Sequence, residues 1–179
     1  MDRAAGAPPD LYCARGQRWG MPVPDWAGIA ADGWQIVSEK MAWAGLLYDA
    51  VRIDHVVGLF RIWSVAVSEP PETGGMNGSF DPPGEHTWEE HGRTILHRFL
   101  RKEGPLLCDE DLGTVPAACP RVLGELAIPG TDVLRWTKDW SGTHDFLGPD
   151  RYRHMAVATL STHDSTNFAA WWEDEAGTI

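Results

Sequence analysis

The sequence has few cysteines and no long apolar run, and each shortage argues against a class of protein. Its three cysteines, Cys13, Cys108 and Cys119, are scattered, and none forms a CxxC pair. A disulfide framework and a zinc site are therefore both disfavoured, and a reducing cytoplasm is the expected location. No apolar stretch approaches the roughly 18 residues of a membrane helix, and no signal-peptide pattern opens the chain. We expect a cytoplasmic protein with no membrane partner.

Basic residues are also scarce, with 15 Lys and Arg against 26 Asp and Glu and a formal net charge of -11. Binding to a phosphate backbone relies on a surface rich in Lys and Arg, so no nucleic-acid partner is expected. Tryptophan, in contrast, is abundant, with ten in 179 residues. Most of these rings would pack in the core and at its rim. Some could instead form stacking platforms for flat ligands such as sugar rings.

Short apolar runs alternate with helical patterns along the chain. A helix is predicted over 29–47, because Trp34, Val37, Met41 and Ala44 lie close to one stripe. The stretches at 6–26 and 68–85 are rich in Gly and Pro and are predicted to be irregular loops. Buried strands are predicted at 48–57, 105–108, 131–136 and 155–160, and further helices at 87–102, at 116–126 and from 166 onward.

Strands that are apolar throughout and alternate with helices indicate an α/β fold with a parallel sheet. A doubly wound sheet and a (β/α) barrel are both compatible with this pattern. Three strands are followed closely by a carboxylate, namely Asp54, Glu110 and Asp164. The carboxyl ends of TIM-barrel strands converge on one face, where active sites lie, whereas an open sheet usually binds its ligand at one switch point. The carboxylates therefore favour a barrel.

A pair of carboxyl groups that flanks the scissile bond is the usual equipment for glycoside chemistry. One group must be ionised and the other protonated, so their surroundings must separate their pKa values. Arg52 lies two residues before Asp54, so the two side chains share one side of a strand, and the positive charge favours an ionised Asp54. Glu110 lies between Asp109 and Asp111, whose charges are expected to raise its pKa.

Four motifs, together with one linking stretch, carry a family resemblance over almost the whole chain. They are GAPPDLYCARGQRWGMP at 6–22, VRIDH at 51–55, DEDLGTVP at 109–116, STHDST at 161–166 and the linking stretch IPGTDVLRW at 128–136. In this order they resemble glycoside hydrolase family 77, the 4-α-glucanotransferases (amylomaltase or disproportionating enzyme), which are relatives of the α-amylases. The resemblance implies transfer of α-1,4-glucan segments between maltooligosaccharides by a retaining double displacement, with no cofactor and no metal.

The resemblance also assigns roles to the residues of the matching motifs. Asp54 would be the nucleophile, Glu110 the acid/base, and Asp164 the residue that grips ring hydroxyls and stabilises the transition state. Arg52 would keep Asp54 charged, and His163 would bond sugar hydroxyls beside Asp164. The alternatives are an α-glucan hydrolase on the same barrel and a non-catalytic glucan-binding fragment.

Further roles are implied at the edge of the site. His55 would contact sugar or pack behind the nucleophile. Tyr12, Gln17 and Trp19 match the family's loop that curls over the acceptor subsites. Asp109 stands where the family has a small residue. If its charge pointed into the cleft, it would raise the pKa of Glu110 further.

The resemblance further implies that residues 1–179 are a fragment of the catalytic domain. They would form a partial TIM (β/α)8 barrel, roughly strands four to seven with their helices, plus an acceptor-side loop at about 6–26. A complete barrel usually needs about 250 residues. An arc of four parallel strands would leave two edges unpaired, so the isolated fragment is expected to be inactive or poorly folded.

Overall fold

The computed structural model describes residues 2–10 and 13–176. The strands are β1 Arg3–Ala7, β2 Gln17–Pro22, β3 Ala50–Ile53, β4 Ile62–Ala66, β5 Ser79–Asp81, β6 Leu106–Asp109, β7 Gly130–Val133 and β8 Ala156–Thr159. The helices are α1 Trp26–Ala31, α2 Gln35–Leu47, α3 Glu85–Phe99, α4 Ala118–Glu125 and α5 Phe168–Ala170, which continues as a π-helical turn at Trp171–Glu175. Short 3-10 turns lie at Val56–Leu59, Pro71–Thr73, Leu134–Trp136 and Pro149–Arg151.

The parallel part of the molecule consists of two strand pairs. β3 pairs with β6, and β7 pairs with β8, each in parallel register over four residues. The pairs meet where the Asp109 N–H donates to the Pro129 carbonyl at 2.9 Å and the Thr131 hydroxyl donates to the Asp109 carbonyl at 2.5 Å. The predicted α/β fold with parallel strands is confirmed here. Among the described residues the strands do not close into a barrel.

An antiparallel sheet that the sequence pattern did not predict covers one side of the molecule. Its strand order is β2-β1-β4-β5, with β1 and β2 forming a hairpin. The prediction of an irregular loop over 6–26 was therefore wrong for much of this range. Glycine helps the hairpin form, because a Cβ at Gly6 would lie 2.0 Å from the Gln17 carbonyl oxygen. Pro8 and Pro9 lie outside both strands, where they break no ladder hydrogen bond.

The predicted helix over 29–47 is present but broken. α1 and α2 are separated at Gly33 and Trp34, whose φ angles are 68° and 63°. The predicted stripe faces the core, since Trp34, Val37 and Met41 are all buried. The break does not remove Trp34 from this stripe, because Trp34 remains packed against Val37 and Ile95 of α3.

The main core lies between the parallel strands and helices α2, α3 and α4. Its buried members are Met41, Ile53, Val56, Val57, Phe60, Trp88, Leu96, Leu107, Cys119, Val122, Leu123 and Ile128. α3 and α4 each present one apolar face to this cluster, which is how a helix packs on a sheet. The core thus packs against β3 and β6 through Ile53 and Leu107.

A group of large apolar side chains outside this core is exposed to solvent. Trp43, Leu46, Leu47 and Tyr48 on and after α2, with Leu106 in β6, are each between 64% and 75% exposed. Contiguous exposed apolar surface of this kind usually marks a contact face. None of the helices in the described part of the chain has the length and apolar character to cross a bilayer.

Candidate active site

The first wall of the site begins where β3 ends. β3 is shorter than the predicted 48–57 strand, because the chain leaves the sheet after Ile53 and turns at His55, whose φ is 48°. Asp54 therefore stands at the rim rather than within the sheet, with 57% of its side chain exposed. Arg52 points to the same side, as the strand spacing predicted, and its Nη1 lies 2.5 Å from Oδ1 of Asp54.

Glu110 lies beside Asp54 because the backbone ties the ends of β3 and β6 together. The Glu110 N–H donates to the Ile53 carbonyl at 2.9 Å, and the Val56 N–H donates to the Glu110 carbonyl at 3.0 Å. Its carboxyl is fixed as well: Oε2 accepts from the His55 N–H at 2.9 Å, and Oε1 accepts from the Leu112 N–H at 3.1 Å. Both carboxyl oxygens of Glu110 are thus held by backbone groups.

The pKa of Glu110 is raised, as a general acid requires, but the cause differs from the one expected. Burial is the largest effect, and the negative charge of Asp54 adds to it. The two backbone hydrogen bonds and Arg52 lower the pKa without reversing the shift. The prediction that Asp109 and Asp111 raise the pKa of Glu110 was wrong as to cause.

Asp111 is engaged away from the cleft. Arg153 binds it with Nη1 at 2.5 Å, and the Thr131 N–H donates to it at 3.0 Å. Burial alone would raise the pKa of Asp111, but the hydrogen bonds from Arg153 and Thr131 bring it below its usual value. Its charge is therefore neutralised by a neighbouring arginine.

Asp109 faces the core instead of the cleft. Side chains alternate along a strand, so Asp109 shares the side of Leu107, which belongs to the main core. It is fully buried, and within the described residues neither carboxyl oxygen has a hydrogen-bond partner. Burial, and then the charge of Asp111, raise the pKa of Asp109 to about 8. The neighbouring Cys119 thiol has its pKa raised to about 12, chiefly by burial.

Asp164 and His163 form the opposite wall, in the loop that follows β8. His163 Nε2 lies 3.1 Å from Oδ2 of Asp164 and 3.9 Å from Oδ2 of Asp54. The imidazole therefore lies between the two aspartates and is within hydrogen-bond distance of Asp164. Asp164 is 78% exposed, so this wall is open to solvent. A hydrogen bond at 3.0 Å from the Thr162 N–H to the Ser165 hydroxyl closes the loop.

The structure brings together the three acids predicted from the sequence. One open cleft of about 1170 Å3 contains all of them and four of the other predicted site residues: Asp54, Glu110, Asp164, Gln17, Trp19, His55 and His163. Arg52 lines an adjoining cavity of about 250 Å3. Tyr12 lies outside the described residues. Among the residues described, there is no group of three or more His, Cys, Asp or Glu side chains placed to hold a metal ion.

The hairpin supplies an aromatic edge to the cleft. The Trp19 and His55 rings meet edge to face with centroids 5.0 Å apart, and Trp19 Nε1 donates to Gln17 Oε1 at 2.7 Å. The pKa of His55 is lowered, mainly by burial, which favours the neutral imidazole. His55 thus packs against Trp19 and lines the cleft, and its contact with sugar stays a prediction.

The sequence pattern did not identify several side chains that line the adjoining cavity of about 250 Å3. They are side chains of β4, β5 and two loops that include Arg61, Trp63, Phe80 and Trp136. One signal was available: Arg61 interrupts an apolar run seven residues after Asp54. A charge within such a run is costly to bury unless it is paired or used.

Comparisons with known proteins agree on one family. The family model of glycoside hydrolase family 77, described as 4-alpha-glucanotransferase, matches residues 1–178. A 4-alpha-glucanotransferase from Chlamydia muridarum is 37% identical over 171 residues, which are 96% of this chain and 31% of that protein. The chain therefore spans about a third of the length of the curated relatives it matches.

Two solved structures share the fold. The amylomaltase of Corynebacterium glutamicum superposes with a TM-score of 0.76 at 26% identity, over 97% of this chain and 23% of that one. An amylomaltase from Streptococcus agalactiae, solved in complex with acarbose, gives a TM-score of 0.73 at 22% identity. It covers 96% of this chain and 33% of the other.

Proposed function

This chain belongs to the 4-α-glucanotransferase family, glycoside hydrolase family 77, and on that premise we propose that the complete protein transfers α-1,4-glucan segments between maltooligosaccharides. The reaction is a retaining double displacement at Asp54 and Glu110. One observation carries the proposal: two adjacent carboxyl groups share a cleft in contrasting surroundings, Asp54 against a guanidinium and Glu110 half-buried with a raised pKa. Such contrasting surroundings are what paired carboxylates need to act as nucleophile and acid.

In the first step Asp54 attacks the anomeric carbon while the Glu110 proton passes to the glycosidic oxygen. The bond to the leaving sugar breaks, and a glycosyl ester forms on Asp54. In the second step Glu110, now a carboxylate, takes the proton of an acceptor hydroxyl, whose oxygen attacks the anomeric carbon and displaces Asp54. Two inversions give overall retention, for which the carboxyl groups need a separation of about 5–5.5 Å.

Asp164 and His163 are proposed to hold the reacting sugar. Their exposed oxygen and nitrogen atoms line the same cleft as Asp54. Hydrogen bonds from sugar hydroxyls to an aspartate strengthen as the ring acquires positive charge, which stabilises an oxocarbenium-like transition state. The position of His163 between the two aspartates supports a shared role at one sugar unit.

Transfer prevails over hydrolysis only if an acceptor sugar reaches the glycosyl-enzyme before water does. Trp19 and Gln17 on the hairpin line the cleft beside Glu110 and are proposed to bind that acceptor. Membership of the 4-α-glucanotransferase family supports an α-glucan ligand in this cleft. Maltooligosaccharides are therefore the proposed donors and acceptors.

We also propose that β3, β6, β7 and β8 are roughly strands four to seven of a TIM barrel. Their parallel pairing and the convergence of Asp54, Glu110 and Asp164 beyond their carboxyl ends support this assignment. The exposed apolar surface around Trp43 and Leu106 would then be covered by the rest of the barrel. The 179 residues alone should accordingly be inactive, and a thermal melt followed by circular dichroism should show no cooperative transition.

The experiment is to incubate the complete protein with maltotriose and separate the products. Disproportionation yields glucose and longer glucans at a constant number of reducing ends. A rising number of reducing ends would identify a hydrolase instead, and binding without turnover would identify a glucan-binding protein. Trapping a glycosyl ester and locating it by mass spectrometry should place it on Asp54. An ester on another residue would contradict the assignment.

A further inference from the structure

Arg61 is a buried cation beside the cleft that the proposed reaction does not use. It comes after the 3-10 turn at Val56–Leu59, lies immediately before β4 and is only 6% exposed. Its guanidinium lies over two aromatic rings, 3.9 Å from the centroid of Phe80 and 4.9 Å from that of Trp88. The aromatic faces offset part of the cost of burying this charge.

The guanidinium of Arg61 is directed at a backbone carbonyl. Its Nη2 donates to the Thr114 carbonyl at 2.8 Å, while its Nε is buried and has no acceptor in the described part of the chain. Burial lowers the pKa of Arg61 from its usual value. An ionised donor forms a stronger hydrogen bond than a neutral one. The charged guanidinium of Arg61 is therefore expected to hold the Thr114 carbonyl firmly.

Thr114 ends the short turn that carries the acid/base. This turn leaves β6 at Asp109, and Gly113 within it has a φ of 82°, which favours glycine. Midway along the turn, the Leu112 N–H donates to Oε1 of Glu110 at 3.1 Å. Arg61 therefore anchors one end of the short span from Glu110 to Thr114, and the middle of that span holds the Glu110 carboxyl.

We propose that Arg61 is a positioning residue for the acid/base: by holding the Thr114 carbonyl it keeps the Leu112 N–H on the carboxyl of Glu110. The proposal rests on the proposed function of Glu110 and deepens it. A hydrogen bond to the charged form of a carboxyl lowers its pKa. Arg61 thus limits how far burial raises the pKa of Glu110, so that the group can act as acid in one step and as base in the next.

A second buried arginine provides a matched comparison. Arg135 is 7% exposed, and its Nη1 and Nη2 donate to the hydroxyl and carbonyl of Thr166 at 2.9 Å and 2.5 Å. Thr166 lies in the loop that carries Asp164. Arg135 therefore braces the wall opposite Glu110, and its loss should disturb sugar binding without touching the Leu112 hydrogen bond.

The test uses the complete protein with Arg61→Met, which keeps an unbranched side chain between the rings but removes the donor. The carboxyl carbon of Glu110, labelled with 13C, is titrated by NMR, and the pH dependence of kcat/KM is measured with maltotriose. The Glu110 midpoint and the basic limb of the profile should both move upward by about one pH unit. At neutral pH the second step, which needs Glu110 ionised, should slow about tenfold, so kcat and KM should fall together while kcat/KM is kept.

Three further variants make the result specific. Arg61→Lys keeps the charge but not the planar donor geometry, so its shift should be intermediate. Arg135→Met should slow turnover and leave the Glu110 midpoint in place. Arg93→Met removes an arginine that pairs with Glu89 and Glu125 on the surface. This variant should change neither the turnover nor the Glu110 midpoint. If Arg61→Met does not fold, the titration of Arg61→Lys decides.

The outcomes separate this inference from the proposed function. An active wild-type transferase whose Arg61 variants keep both the Glu110 midpoint and the pH profile would overturn the positioning role alone. An inactive wild-type protein whose Glu110 midpoint still rises on substitution of Arg61 would support the positioning role and reject the transferase. Equal shifts for Arg61→Met and Arg135→Met would also overturn it, because they would reflect general loosening of the site.

Discussion

The buried and the exposed carboxyl groups of the cleft are held by different means. Glu110 is half-buried, and both of its oxygens accept backbone N–H groups. Asp54 and Asp164 are 57% and 78% exposed and are held by the side chains of Arg52 and His163. The difference shows how one residue class can be given two tasks: burial raises the pKa of Glu110, whereas Asp54 lies open to solvent beside the guanidinium of Arg52.

The largest effect should come from the exposed carboxyl groups. Asp54→Asn removes the nucleophile, so no glycosyl ester can form, and kcat for maltotriose disproportionation should fall by at least about 10^4-fold. The variant should still bind maltotriose by calorimetry, because the rest of the cleft is intact. Turnover within tenfold of the wild type would mean that Asp54 is not the nucleophile.

At the buried carboxyl group, Glu110→Gln removes the proton donor but leaves the nucleophile in place. The rate with maltotriose should fall by about 10^2 to 10^4-fold. A maltosyl fluoride donor needs no protonation of its leaving group, so formation of the glycosyl ester from it should be nearly as fast as in the wild type. The same donor should not rescue Asp54→Asn. Equal rescue of both variants would abolish the distinction between the roles of Asp54 and Glu110.

Asp109, next to Glu110 but facing the core, should control stability. Its pKa of about 8 exceeds that of an aspartate in an unfolded chain. Between about pH 4 and 8 the unfolded chain therefore releases a proton that the folded protein keeps. The free energy of unfolding should fall by about 1.4 kcal/mol for each pH unit in this range.

The check for Asp109 is urea denaturation of the complete protein at several pH values. Asp109→Asn should remove this part of the pH dependence, so its advantage over the wild type should grow from pH 4 to pH 8. Asp111→Asn is the contrasting variant, since Asp111 has a lowered pKa beside Arg153. The ionised Asp111 carboxylate stabilises the wild type, and this stabilisation should be lost as the pH falls. Parallel stability curves for wild type and Asp109→Asn would show that Asp109 ionises normally.

The smallest effect should come from the aromatic edge. Trp19→Ala removes the ring that packs edge to face on His55, and the KM for the acceptor sugar should rise roughly tenfold. The share of hydrolysis among the products should rise with it. Trp19→Phe keeps an aromatic face and should retain most of the transfer. An unchanged ratio of transfer to hydrolysis in Trp19→Ala would exclude Trp19 from the acceptor site.

The strand positions and the convergence of the acids could be predicted because both depend on local pattern. β6 and β8 fall within one residue or so of their predicted ranges, and Arg52 and Asp54 lie on the same side as the two-residue period requires. The hairpin could not be predicted, since β1 consists of Arg, Ala and Gly with no apolar alternation. It exists because β4, about sixty residues away, pairs with it.

By itself the sequence determined which residues stand at the ends of the parallel strands, because apolar runs and chain order specify each strand and the residues directly after it. Only the tertiary structure decided the surroundings of each of these residues. Burial and Asp54, not the adjacent acids, raise the pKa of Glu110, and Asp109 turns into the core. Arg61 reaches Thr114 across 53 residues of sequence. Such contacts join distant parts of the chain, and electrostatics depends on distance in space.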